Sequence, residues 1–265
     1  MDGPLAGAIG IVTGASRGLG RAFAVDLAEA GATLVLVARS ADGLQATAEL
    51  VQGCGGRCEA VVGDVRDDAF ADRVVRHTAD SLGPPSLLVN NAGAAQLGAL
   101  VDVTLDGWWD VLTVNLRAPV AWTKAVLPLM RQQGRGRIIN VSSPSSLAPL
   151  PYISSYAASK AALTQFTASV APELAADGIV VIAIGPAALT DMTRSLWESE
   201  GLPPAMQEYF KNAFTADPDT LMRRSLDLFR CVAIGGADHL TGHYLGDRIG
   251  SFDSPESIAA MAPTK

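Results

Sequence analysis

Tyr156 and Lys160 stand four residues apart in a run that reads as helix, with Ala157, Ala158, Ala161, Ala162, Leu163 and Phe166 around them. Residues at i and i+4 share one helix face, so a phenol and an ammonium project the same way. A phenol with a pKa of about 10 exchanges protons poorly at neutral pH. A fixed cation nearby favours the phenolate, so the spacing predicts a tyrosine whose pKa Lys160 pulls down toward the working range. A half-buried Tyr beside a solvated Lys would give the same pattern, so the weight rests on what surrounds the pair.

Elements that could position such a pair are easy to find. Ala8–Thr13 is a short apolar run, consistent with a buried parallel strand. It leads into Gly14-Ala15-Ser16-Arg17-Gly18-Leu19-Gly20 and then a helical pattern carrying Phe23, Leu27 and Ala28. Glycines between strand and helix let the backbone turn sharply and approach a pyrophosphate at the helix N-terminus. Further strands are predicted at Thr33–Ala38, Arg57–Val62, Ser86–Val89, Arg137–Val141 and Ile179–Ile184, with helices between them. A long helical run from Asp106 to Gln133 should be kinked or divided at Pro119 and Pro128. Thr190–Asp217 reads as a mobile, partly helical lid, Thr220–Ile234 as a helix and His243–Leu245 as a last edge strand. The alternation implies an α/β single-domain Rossmann fold, a doubly wound parallel sheet with helices on both faces, spanning residues 1–265.

Composition narrows the function classes. With 265 residues, 49% hydrophobic and 18% charged, the chain can bury a substantial core. A net charge of −7 with no basic stripe argues against nucleic acid as partner. Cys54, Cys58 and Cys231 cannot all pair and form no zinc-like set, and His77, His239 and His243 lack ligand spacing, so no metal is expected. Neither a signal peptide nor a membrane span is visible, and a cytoplasmic location is expected.

The ordered set Thr13-Gly14-Ala15-Ser16-Arg17-Gly18-Leu19-Gly20, Asp64-Val65, Asn90-Asn91-Ala92-Gly93, Asn115, Ser143 and Tyr156…Lys160 resembles the short-chain dehydrogenase/reductase family over about residues 5–192. That resemblance implies that Tyr156 exchanges a proton with the substrate oxygen, that Ser143 hydrogen-bonds this oxygen, and that Lys160 holds the nicotinamide ribose. It implies that Asn115 keeps a kink and a water in the proton path. Gly14, Ser16, Gly18, Leu19 and Gly20 would line the pyrophosphate, Asp64 and Val65 the adenine, and Asn91, Ala92 and Gly93 a ribose. Pro186 and Thr190 would meet the nicotinamide. Asn115 could instead bond only a neighbouring backbone group, and Asp64 could simply cap a helix. Trp108 and Trp109 read as packing residues.

Cofactor choice has its own signal. An NAD-selective site places an acid at the end of the second strand, where it binds the ribose hydroxyls. Here that end reads Ala38-Arg39-Ser40, and Arg17 should lie at the same corner, so NADP(H) is expected. The chain departs from the family pattern at Pro186-Ala187, where Pro-Gly is usual, at Ile182, and at Leu245–Gly250. Ser145, Leu147, Leu150, Tyr152, Ala187, Leu189, Trp197, Met206 and Phe210 suggest an apolar substrate pocket under the lid. The function expected is reduction of a ketone to a secondary alcohol; an oxidative dehydrogenase and a non-catalytic cofactor sensor are the alternatives. The partner is a small carbonyl or alcohol substrate. The helices around Trp122–Met130 and Tyr156–Ala176 resemble those with which the family builds dimers, so a homodimer or homotetramer is expected.

Overall fold

Strands β1 (Ile9–Thr13), β2 (Thr33–Ala38) and β4 (Leu87–Asn90) are unbroken apolar runs because both their faces are covered. With β3 (Arg57–Val62), β5 (Gly136–Val141), β6 (Ile179–Gly185) and β7 (Tyr244–Gly246) they form one parallel sheet in the order β3-β2-β1-β4-β5-β6-β7. This is a computed structural model, and it describes residues 3–188, 190–198, 202–213, 217–246 and 255–261. The strand order reverses between β1 and β4. In open α/β sheets that crevice, beyond the carboxyl ends of the strands, is where ligands bind.

Period-two alternation divides the core into two layers. Val12, Leu34, Leu36, Ile139 and Ile182 face helices α1 (Gly18–Glu29), α2 (Ala41–Gly53) and α9 (Pro218–Ala233). On that side the rings of Phe23 and Phe229 stack 3.9 Å apart. Ile11, Val35, Val37, Leu88 and Val181 face α3 (Asp68–Ser81), α5 (Ala118–Gln133) and α6 (Ser154–Leu174). There Phe70 meets Trp122 edge to face at 6.0 Å.

The long helical run divides as expected, but at one place. Helix α4 (Leu105–Leu112) passes through a π turn over Thr113–Arg117 into α5, with Pro119 in the first turn of α5. Pro119 has no N–H to give the Asn115 carbonyl, which an α pattern would require there. Pro128 is accommodated inside α5. Trp108 and Trp109 pack edge to face with ring centroids 5.2 Å apart, and Trp108 also donates from Nε1 to Ser154 Oγ at 3.1 Å. Trp109 remains 55% exposed in that pair. The lid region holds two helices, α7 (Asp191–Glu198) and α8 (Pro204–Ala213). A short helix α10 (Pro255–Ala259) follows β7, while Asp247–Gly250 lie outside the described residues. Among the described residues no helix is long and apolar enough to cross a membrane.

Candidate active site

The glycine-rich turn after β1 is fixed by side chains that also hold the loop after β4. Thr13 Oγ1 donates to the Val89 carbonyl at 3.2 Å and accepts from the amides of Asn91 and Ala92 at 3.1 Å each. Asn91 Nδ2 donates back to the carbonyls of Thr13 (3.0 Å) and Gly14 (3.2 Å). Two loops from opposite sides of the crevice are thereby locked together. Gly14 has φ +68°, and a methyl on it would sit 2.8 Å from Ala92 Cα. A methyl on Gly20 would collide with the Gly14 carbonyl and the Asn91 amide. Arg21 fastens the turn from the other side, donating to the Ser16 carbonyl (2.5 Å) and Thr47 Oγ1 (3.0 Å). Thr47 Oγ1 in turn donates to the Ala15 carbonyl at 2.8 Å.

What the turn leaves open suits a dinucleotide. Gly18 has φ +54°, and a methyl there would meet only Thr190, 3.7 Å away, so the turn faces Thr190 across the crevice. Helices α2, α3, α4 and α9 each have a side-chain cap, from Ser40, Asp67, Thr104 and Asp217; α1 has none and no acid in its first turn. Its leading N–H groups can therefore receive phosphate oxygens. Gly93 leaves room beside the ammonium of Lys160, since a methyl there would stand 3.9 Å from Nζ. These residues fit a nicotinamide dinucleotide. Leu19 packs onto the core layer of α1 and α2, and Val65 onto that of α3.

Arg39 and Ser40 are exposed at the end of β2, and Arg17 is exposed in the turn. Ser40 Oγ accepts from the Gly43 amide at 3.1 Å to cap α2, which leaves its own proton to donate. Asp64 does not cap a helix; α3 is capped by Asp67. Arg66 grips the Asp64 carboxylate with Nε and Nη2 (3.1 and 2.7 Å), and with a smaller contribution from Arg39 holds it below the usual carboxylate range.

Ser143, Tyr156 and Lys160 gather at the carboxyl end of β5 and the first turns of α6. Lys160 is 4% exposed, and its Nζ donates to the Val141 carbonyl at 2.7 Å. Burial lowers its pKa to about 8. Ser142 Oγ donates to the Lys160 carbonyl at 3.1 Å, tying α6 to β5. The Ser143 hydroxyl stands near the Tyr156 phenol. The phenol pKa is raised, by burial first, with the Ser143 hydroxyl opposing. The spacing had implied the reverse. Lys160 Nζ lies 5.7 Å from the centre of the phenol ring and is engaged with Val141, so burial decides. Asn115 sits in the π turn, fully buried, and exchanges two 2.8 Å bonds with the backbone of Ala94.

A small apolar cluster adjoins Tyr156. Ile153 and Leu202 are its buried members, with Leu97, Leu150, Tyr152 and Met206 packed against them. Leu150, Tyr152 and Met206 are thus brought together as the sequence predicts. Ser145 is buried beside them in sequence, its amide donating to Ser143 Oγ at 3.2 Å. Ala187 is 4% exposed and Leu147 is 53% exposed. Pro186 is half-buried, and Thr190 exchanges hydrogen bonds with Thr193 at the head of α7. Leu189 and the side chains of Trp197 and Phe210 lie outside the described residues. Sequence reasoning missed Arg21 and Thr47 and gave Thr13, though it heads the glycine-rich motif, no role of its own; nothing in the spacing shows these contacts, because each acts through backbone groups of the turn.

A sheet of this order with a Ser–Tyr–Lys set at its crevice defines a nicotinamide-dependent oxidoreductase, and comparison with known proteins agrees. The short chain dehydrogenase family model matches residues 8–201, and the chain belongs to the short-chain dehydrogenase/reductase family. It is 40% identical over 188 residues to a short chain dehydrogenase of Pseudocercospora fijiensis, covering 70% of this chain and 61% of that one. It is 38% identical to the 3-oxoacyl-[acyl-carrier-protein] reductase FabG of Pseudomonas aeruginosa, over 74% of this chain and 80% of that protein. A crystal structure of a short-chain dehydrogenase/reductase from Burkholderia xenovorans superposes with TM-score 0.83 at 32% identity, over 92% of this chain and 96% of that one. The NAD+-bound xylitol dehydrogenase structure superposes with TM-score 0.82 at 25% identity, over 92% and 98%.

Proposed function

We propose that the protein is an NADP(H)-dependent ketoreductase that converts an apolar ketone to a secondary alcohol, reversibly. The observation that carries this reading is the gathering of Ser143 and Tyr156 beside buried Lys160, whose ammonium is held on the Val141 carbonyl. Burial keeps the phenol protonated at neutral pH, the form from which Oη can give its proton to a carbonyl oxygen. Ser143 Oγ is the second donor to that oxygen and stabilises the charge that develops there. Lys160, with a pKa of about 8, stays mostly cationic at pH 7 and favours the phenolate left after proton transfer. NADP(H) would supply the hydride; the chain supplies orientation and charge.

Gly14, Ser16, Gly18, Gly20 and the head of α1 would hold the pyrophosphate, Val65 and Asp64 the adenine, and Asn91 to Gly93 with Lys160 the ribose. Arg17, Arg39 and the free proton of Ser40 would bind a 2′-phosphate, because guanidinium forks match phosphate oxygens and no carboxylate stands at the end of β2. Carbonyl reduction is also supported by the 3-oxoacyl reductase among the relatives. Helices α7 and α8 would close over the substrate as a lid, with Met206 and Tyr152 against it. Ala121, Leu127, Phe166 and Val170, all half-buried on α5 and α6, would form a homodimer face in a cytoplasmic enzyme. The NAD+-bound neighbour motivates a second reading, an NAD+-dependent alcohol oxidation at the same residues. A ketone and alcohol panel, assayed by nicotinamide absorbance with all four cofactor forms, tests both. Turnover of apolar ketones with NADPH well above NADH is expected; turnover only of alcohols with NAD+ would favour the second.

A further inference from the structure

We infer that Ser159 is a positioning residue for the proton donor, joining the first turn of α6 to the loop after β4 through Asn115. Ser159 is fully buried, between Tyr156 and Lys160 in the chain. Its hydroxyl donates to the Tyr156 carbonyl at 2.7 Å and accepts from Asn115 Nδ2 at 2.9 Å. A serine bonding back to the carbonyl three residues earlier is common in helices and by itself only local. The second bond is not local, since Asn115 lies in the π turn, 44 residues away in sequence. Asn115 closes the link with its two bonds to Ala94, one residue beyond Gly93 and its space beside Lys160. One hydroxyl therefore sets the distance between the helix that carries the phenol and the loop that borders the cofactor crevice. Removing it frees one Asn115 N–H and lets the two elements shift, and small misplacements of reacting groups cost rate rather than binding.

This inference rests on Tyr156 as the proton donor of a carbonyl reduction. It is tested with Ser159→Ala and Ser159→Cys, the latter filling the space with a weak hydrogen-bonding group. Both should lose about tenfold in kcat on a reducible ketone, with KM within about twofold. The Ala94 amide, which Asn115 Oδ1 holds, should exchange its hydrogen about tenfold faster in both. Ser159→Cys with wild-type kcat would show that the residue only fills space, and an unchanged Ala94 exchange rate overturns the link whatever kcat does. A wild-type protein that reduces no carbonyl overturns the reading underneath, while the exchange rates still decide whether Ser159 joins the two elements.

Discussion

The two walls of the crevice are built by different means. On the cofactor side, the turn after β1 is held by Thr13, Arg21, Asn91 and Thr47, and Gly14 and Gly20 are pressed against backbone. On the proposed substrate side, a satellite cluster has two buried members, Ile153 and Leu202, with half-buried Tyr152 and Met206 beside them. Tyr152 is also the one non-glycine residue at positive φ among the described residues, at +64°, its carbonyl accepting from the Gly98 amide at 2.9 Å. One wall is over-determined by hydrogen bonds and close backbone contact. The other is shaped by a few apolar side chains that can be exchanged at small cost. The chemistry is therefore expected to resist change while substrate preference yields to it.

The largest expected effect tests the fixed side. Tyr156→Phe keeps the ring and removes the proposed proton donor, so kcat should fall roughly 10²–10⁴-fold with the fold intact. A Phe variant with wild-type kcat on the preferred ketone would place the proton source elsewhere. Lys160 gives a smaller effect with the opposite sign on stability. Its folded pKa of about 8 lies below the 10.5 of an unperturbed lysine, so between those values the unfolded chain holds more protons. Stability should therefore rise with pH from about 8 to 10.5, and below that window carry a constant penalty of about 3 kcal/mol. Lys160→Met removes the penalty but also the ammonium's bond to Val141, worth roughly 1.5–3 kcal/mol for a charged donor, so the net gain at pH 7 should lie between zero and about 1.5 kcal/mol. Urea unfolding should show that gain and the loss of the alkaline slope; a destabilised Met variant would contradict the cost assigned to burying the ammonium.

Legibility in the sequence followed the same division. Thr33–Ala38 was readable to the residue, because an apolar run bounded by glycine and polar residues leaves little freedom, and Arg57–Val62 was placed as well although it is partly polar and holds no buried residue. Gly14 was legible from a strand-to-helix turn and the Tyr156–Lys160 pair from helical spacing, whereas Ser143 was singled out only by the family resemblance. The raised phenol pKa was not legible, because it depends on burial and on Lys160 reaching the Val141 carbonyl, neither of which spacing reveals. The region after Pro186 was legible as partly helical but not as two helices, Asp191–Glu198 and Pro204–Ala213.

Arg39→Asp tests whether the exposed corner of the fixed side selects the cofactor. A hydrogen bond to a charged group contributes roughly 1.5–3 kcal/mol, so NADPH affinity should fall about tenfold or more. NADH should gain, because the new carboxylate can accept from the ribose hydroxyls and repels a 2′-phosphate. Cofactor titration by fluorescence, without substrate, reads this directly. An unchanged preference would remove Arg39 from the phosphate site while leaving Tyr156 untouched.

The smallest effect is expected on the substrate wall, and it bears most directly on the difference between the two sides. Met206 is half-buried on α8 against the satellite cluster, whereas Met130 on α5 is fully buried in the core beneath the sheet. Truncating a buried core methionine to alanine costs about 2–5 kcal/mol, so Met130→Ala should lower stability by that much. Met206→Ala removes fewer buried contacts and should cost less than about 1 kcal/mol of stability. Its effect should appear in KM instead, rising about threefold for a bulky apolar ketone as that much contact is lost, and hardly at all for a ketone of three or four carbons. Equal destabilisation by the two truncations would mean that the lid helices are as much a part of the core as the sheet. A KM that does not change with ketone size would mean that Met206 touches no substrate.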